Sequence, residues 1–171
     1  MKVNITLLFV SLLLAGSLQA QEAAVAAEVA AEAKISFPAK AGLINDMEGI
    51  FTPQQSKELG KIVTDYEAKT GRKIVVVSVA SIAPFERFDD YSTELASQWQ
   101  IGSEDKSDGV AIFFSKSLRQ IKVSTGYGDE QSLSNEHCKT IIDTVIIPEL
   151  KKGDFYQGIK LGVQELIRTW N

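Results

Sequence analysis

Lys73-Ile74-Val75-Val76-Val77-Ser78-Val79, Gly109-Val110-Ala111-Ile112-Phe113-Phe114 and Arg119-Gln120-Ile121-Lys122-Val123-Ser124-Thr125 are the stretches whose reading decides the fold. The first is an almost continuous β-branched run and the second is apolar throughout, the mark of strands buried on both faces of a sheet. The third alternates, with Ile121 and Val123 on one face, so its other side is expected to be wetter. Only residues 115–118 separate the second stretch from the third, which predicts an antiparallel hairpin. The first and second are joined through a helical pattern, which predicts a parallel pair with a right-handed crossover.

Helical patterns surround these strands. Thr52, Pro53 and Gln55 make a capping-box signature with proline at the first helical position. Leu59, Ile62, Val63 and Tyr66 then share one face, and Gly71 supplies the stop. A second helix is predicted over 88–100, with Phe88, Tyr91, Leu95 and Trp99 inward, and with Asp89 and Asp90 capping it and complementing its dipole. A third begins near Ser134, carries Cys138, Ile141, Ile142 and Val145 on its apolar face, and is ended or kinked by Pro148. The fourth runs over 155–170, with Ile159, Val163, Leu166, Ile167 and Trp170 at helical spacing. Leu43 and Ile44 are assigned to a short edge strand ahead of Asn45 and Asp46. The predicted fold class is α/β: a three-layer α/β/α sandwich around a mixed central sheet of about four strands.

Of the 171 residues, 44% are hydrophobic and 23% charged, which is ordinary globular composition. The formal net charge of -4 leaves no basic footprint for nucleic acid. Lys2, the uncharged apolar run over 5–15 and the small residues Gly16, Ser17 and Ala20 read as an export signal over 1–20. That run is too short to span a bilayer, and no later stretch is apolar for long enough. Residues 21–37 are an Ala/Glu-rich spacer with few large side chains, and the folded domain is expected over 38–171. The product is therefore expected to be periplasmic or secreted, with no stable membrane span after the signal is removed.

Cys138 is the only cysteine and His137 the only histidine. A lone cysteine makes no intramolecular disulfide, and one adjacent His-Cys pair inside a helix meets the needs of neither nucleophilic catalysis nor a zinc site. Cys138 reads as core. The outer ends of the predicted hairpin bring Ser107-Asp108-Gly109 beside Gly126-Tyr127-Gly128-Asp129-Glu130 at one sheet edge. Glycines on both sides of Tyr127 permit a tight turn. Asp108, Asp129 and Glu130 then converge with loop carbonyls, the oxygen-rich setting that calcium takes, and Glu104-Asp105 lies just upstream. The alternative is that these are turn residues only, with Asp capping, Gly turning and Glu facing water. Gly126-Tyr127-Gly128 is not a dinucleotide fingerprint, since Gln131 stands where the third glycine belongs. There is no phosphate-loop lysine pattern, no Gly-x-Ser-x-Gly and no EF-hand spacing. No catalytic residue is identified.

From about Gly42 to the C-terminus the chain resembles the TPM domain family. The resemblance is carried by Leu43-Ile44-Asn45-Asp46, Thr70-Gly71, Trp99-Gln100-Ile101-Gly102, Ser107-Asp108-Gly109-Val110, Thr125-Gly126-Tyr127-Gly128 with Glu130 and Leu133, Ile147-Pro148, and Gly153-Asp154-Phe155-Tyr156-Gln157-Gly158, in that order. It implies an exported or membrane-associated α/β/α sandwich whose acidic loops bind calcium in some members. Some plant-type members are linked to photosystem repair and described as acid phosphatases. Other members carry a membrane helix and a Gly-rich tail after the domain; this chain stops at Asn171, so a soluble product is expected. The family motif adds Asp46 to the metal residues Asp108, Asp129 and Glu130, although the predicted topology starts the first helix at the opposite sheet edge from Asp108. Gly109, Gly126, Tyr127 and Gly128 are the loop residues that shape the site. The chain departs from the pattern at Ser107, where an Asp commonly stands. The function expected from all this is a calcium-binding, non-catalytic module that assists envelope protein assembly or maintenance, with envelope or membrane protein complexes as partners. A metal-dependent phosphatase acting on phosphomonoesters and a metal-free structural adaptor are the alternatives.

Overall fold

The computed structural model describes residues 36–101, 109–125 and 133–170. Their elements, in order, are β1 (Ile44–Asp46), α1 (Pro53–Thr70), β2 (Lys73–Ser78), α2 (Phe88–Gln98), β3 (Gly109–Ser115), β4 (Gln120–Thr125), α3 (Asn135–Ile141), a π-helical turn (Ile142–Ile146), α4 (Ile147–Lys151) and α5 (Phe155–Thr169). The sheet has four strands in the order β1-β2-β3-β4. The first three are parallel and β4 returns antiparallel to β3, so the sheet is mixed as predicted. The edge strand falls one residue later than expected and includes Asn45 and Asp46.

Side-chain alternation along the strands divides the core. Ile74, Val76, Val110, Ile112 and Phe114 face a cluster that includes Leu59, Val63 and Tyr66 of α1, Cys138 and Ile141 of α3, and Ile159, Val163 and Leu166 of α5. Fully burying each of the three α5 side chains contributes about 1.5–3 kcal/mol. Val75, Val77, Ala111 and Phe113 are equally buried on the other face. Lys122, which pairs with Phe113 across the β3–β4 ladder, reaches from that face to the Asp89 carbonyl (3.1 Å) and the Thr93 hydroxyl (2.9 Å) of α2. α2 therefore covers part of the polar side of β4, while Gln120 at its start is exposed, so that side is the wetter one as expected. This is the three-layer arrangement predicted.

Local signals account for most boundaries. The Thr52 hydroxyl accepts the Gln55 N–H (3.2 Å) while the Gln55 side chain accepts the Thr52 N–H (2.8 Å), so two otherwise unpaired donors of α1 are satisfied. Gly71 ends α1 in the left-handed region, φ 76. One expectation needs correction. Asp89 and Asp90 do not cap α2: Arg87 holds the cap position without a side-chain cap bond, and the two acids sit in the first turn, where they still complement the dipole. Of the two outcomes expected at Pro148, an end or a kink, the end does not occur. The ladder widens ahead of the proline, the Ile147 N–H reaching back to the Ile142 carbonyl, and helix resumes through Pro148. Widening removes the clash between a proline ring and the carbonyl one α-turn earlier. Against this turn α5 packs closely: a Cβ on Gly162 would lie 2.6 Å from Ile146 Cδ1. Among the described residues no helix is long and apolar enough to cross a membrane.

Candidate functional site

The parallel strands give the sheet an amino edge and a carboxyl edge. At the amino edge Val110 lies opposite Thr125 in β4, and Gly109 lies beside Lys73 in β2. Gly109 is buried where it opens β3. The two hairpin strands thus leave the sheet side by side, as the sequence predicts. Asp108 and, after Thr125, Gly126, Tyr127, Gly128, Asp129 and Glu130 lie outside the described residues, as do Glu104, Asp105 and Ser107.

Asp46 ends β1 at the carboxyl edge, in register with Ser78 and, through it, Phe114. Phe114 lies five residue steps along β3 from Gly109, about 17 Å. Asp46 also has work of its own. One carboxylate oxygen accepts the Phe51 N–H at 2.7 Å and the other accepts the Ser78 hydroxyl. Ser78, fully buried, takes the Glu48 N–H at 3.1 Å on the same oxygen. The Glu48 carboxylate continues the chain of contacts, accepting the backbone N–H groups of Lys116 (2.8 Å) and Ser117 (3.1 Å) and the Ser117 hydroxyl (2.7 Å). Two carboxylates thereby tie the β1–α1 loop to the end of β2 and to the β3–β4 turn. Sequence reading missed Ser78 and Glu48; the only signal was a serine interrupting a β-branched strand. Among the described residues no group of three His, Cys, Asp or Glu side chains is arranged to hold a metal ion.

The remaining reactive groups read as structure. Cys138 is buried, and that burial pushes its thiol up to about 11. Glu58 and Lys160 form an ion pair between α1 and α5; the hydrogen bond to Lys160 holds the Glu58 carboxyl below its usual range, and the reciprocal bond raises Lys160. Tyr66 and Arg72 both donate to the Trp170 carbonyl, at 2.6 and 2.7 Å, fixing the end of α5 against α1.

Comparison with known proteins agrees with this fold. A family model described as the TPM domain matches residues 44–169. Among solved structures, the N-terminal domain of a P. gingivalis protein is 24% identical with a TM-score of 0.68, over 74% of this chain and 80% of that one. The BA42 protein from Bizionia argentinensis is 18% identical with a TM-score of 0.62, over 73% of this chain and 88% of that one. The N-terminal domain of the cg2496 protein from Corynebacterium glutamicum is 13% identical with a TM-score of 0.58, over 80% and 84%. At these identities the likeness is one of fold. No curated protein matches the chain.

Proposed function

The chain belongs to the TPM domain family, and from that premise we propose an exported, non-catalytic module that binds calcium at the amino edge of its sheet and assists envelope protein assembly or maintenance. The observation that supports it is the β3–β4 register, which holds to the strand ends with Val110 opposite Thr125. In the sequence Asp108 immediately precedes Gly109, and Gly126-Tyr127-Gly128-Asp129-Glu130 immediately follow Thr125. In this reading Asp108, Asp129 and Glu130 supply hard oxygen donors, and the glycines around Tyr127 let backbone carbonyls approach an ion. Asp46, occupied by Phe51 and Ser78, acts instead as a loop clamp. The bound ion would supply positive charge that holds two loops together.

The envelope role rests on the leader over 1–20 and on the family. Intact-mass measurement of natively expressed protein tests the leader: a mature chain beginning near Gln21 is expected, and an envelope fraction dominated by chains retaining Met1 contradicts export in soluble form. Calorimetric titration with calcium, run beside an assay on generic phosphomonoesters with and without divalent ions, tests the site. Heat with calcium and no turnover is expected. Metal-dependent turnover would replace this reading by the phosphatase.

A further inference from the structure

Met47 and Leu118 are the exposed large hydrophobic side chains among the described residues, each 39% exposed. They come from different parts of the chain, yet Glu48, next to Met47, binds the backbone of Lys116 and Ser117, next to Leu118. The contact holds the loop that carries Met47 against the turn that carries Leu118, at the carboxyl edge. Residues 116–120 are all exposed there. Lys116 and Arg119 flank Leu118, and neither has an ion-pair partner among the described residues. Lys116 rests its ammonium 5.5 Å from the centre of the half-buried Phe155 ring. The nearby carboxylate, Glu48, is committed to the turn's N–H and O–H donors.

We infer that this hairpin tip docks on an anionic lipid surface, with Leu118 and Met47 entering the interface and Lys116 and Arg119 meeting headgroup charge. An exposed turn that carries an apolar side chain between cations suits the boundary of a bilayer, where apolar burial and attraction to anionic headgroups act together. A protein partner would ask for a broader complementary face than one tight turn presents. The inference is independent of the calcium reading, which concerns the opposite sheet edge.

The test places a reporter at the tip. In Leu118→Trp, the added indole is exposed, while Trp99 and Trp170 are buried and the leader carries no tryptophan. Vesicles of brominated phosphatidylcholine with phosphatidylglycerol should quench and blue-shift the added emission, and vesicles of brominated phosphatidylcholine alone should not. Adding Lys116→Gln and Arg119→Gln, both at exposed positions, should weaken partitioning about thirtyfold. Absence of quenching on the anionic vesicles, or equal quenching on both kinds, overturns the inference. A blue shift that grows with protein concentration without vesicles also overturns it, because a second copy then covers the tip.

Discussion

Asp46 and Ser78, register partners at the ends of two parallel strands, are joined by a hydrogen bond from the serine hydroxyl to the carboxylate. The same serine oxygen accepts the Glu48 N–H, so one buried hydroxyl serves both ends of a tight bend.

Ser78→Ala should therefore cost about 1–3 kcal/mol, since it leaves a carboxylate oxygen and a backbone N–H without their partner. Urea unfolding measures it. Ser78→Thr keeps the hydroxyl and should recover part of the loss if its methyl is accommodated. An unchanged midpoint in Ser78→Ala would mean that the clamp contributes nothing.

Gly162→Val should destabilise the protein by about 1–3 kcal/mol, by overpacking α5 against Ile146. Pairing it with Ile146→Ala should return part of that loss, because the side chain in the way is removed. Thermal melts of the single and double variants read the coupling. Additive losses would contradict the packing account.

Cys138 should resist alkylation in the native state at pH 8. Its thiol titrates near 11, so little thiolate exists there, and burial also blocks access. The sign follows for stability. The folded state holds the proton to higher pH than the unfolded chain, so this contribution is intact below the unfolded thiol's range and is lost as pH rises towards 11. Cys138→Ala should flatten the alkaline fall. Rapid labelling of native protein at pH 8 would contradict the burial.

The fold was largely legible because its signals are local or periodic. The β-branched run at 73–79, the Thr52-Pro53-Gln55 cap and the spacing of Ile159, Val163, Leu166 and Trp170 each point to one conformation, and tertiary packing agrees with them. What was not legible lay where a local rule met a tertiary context. Pro148 breaks an ideal helix, but a widened turn accommodates it. Asp89 and Asp90 have capping chemistry, but Arg87 occupies the cap. Ile121 and Val123 show alternation, yet nothing in β4 alone announces that α2 lies over Lys122. The Asp46–Ser78–Glu48 contacts join residues up to 32 positions apart, beyond the reach of any spacing argument. Of the candidate metal site, the described residues include Gly109 and Asp46, and the topology sets these at opposite edges as the sequence implied.

The central claim, that the amino edge holds calcium, is tested most directly by thermal unfolding of the parent and of the double variant Asp108→Asn with Glu130→Gln, each with and without calcium. A ligand that binds only the folded state must raise its stability, by about 2.7 kcal/mol at a hundred times its dissociation constant. The double variant keeps size and hydrogen-bonding capacity while removing two charges. The account predicts that calcium raises the parent's melting temperature and leaves the variant's unchanged. Without metal the two should melt alike, or the variant slightly higher, since neighbouring carboxylates repel when no cation lies between them. A parent whose melting temperature does not move at millimolar-scale calcium, the weak end for extracellular calcium modules, would contradict the claim and leave the structural adaptor in its place.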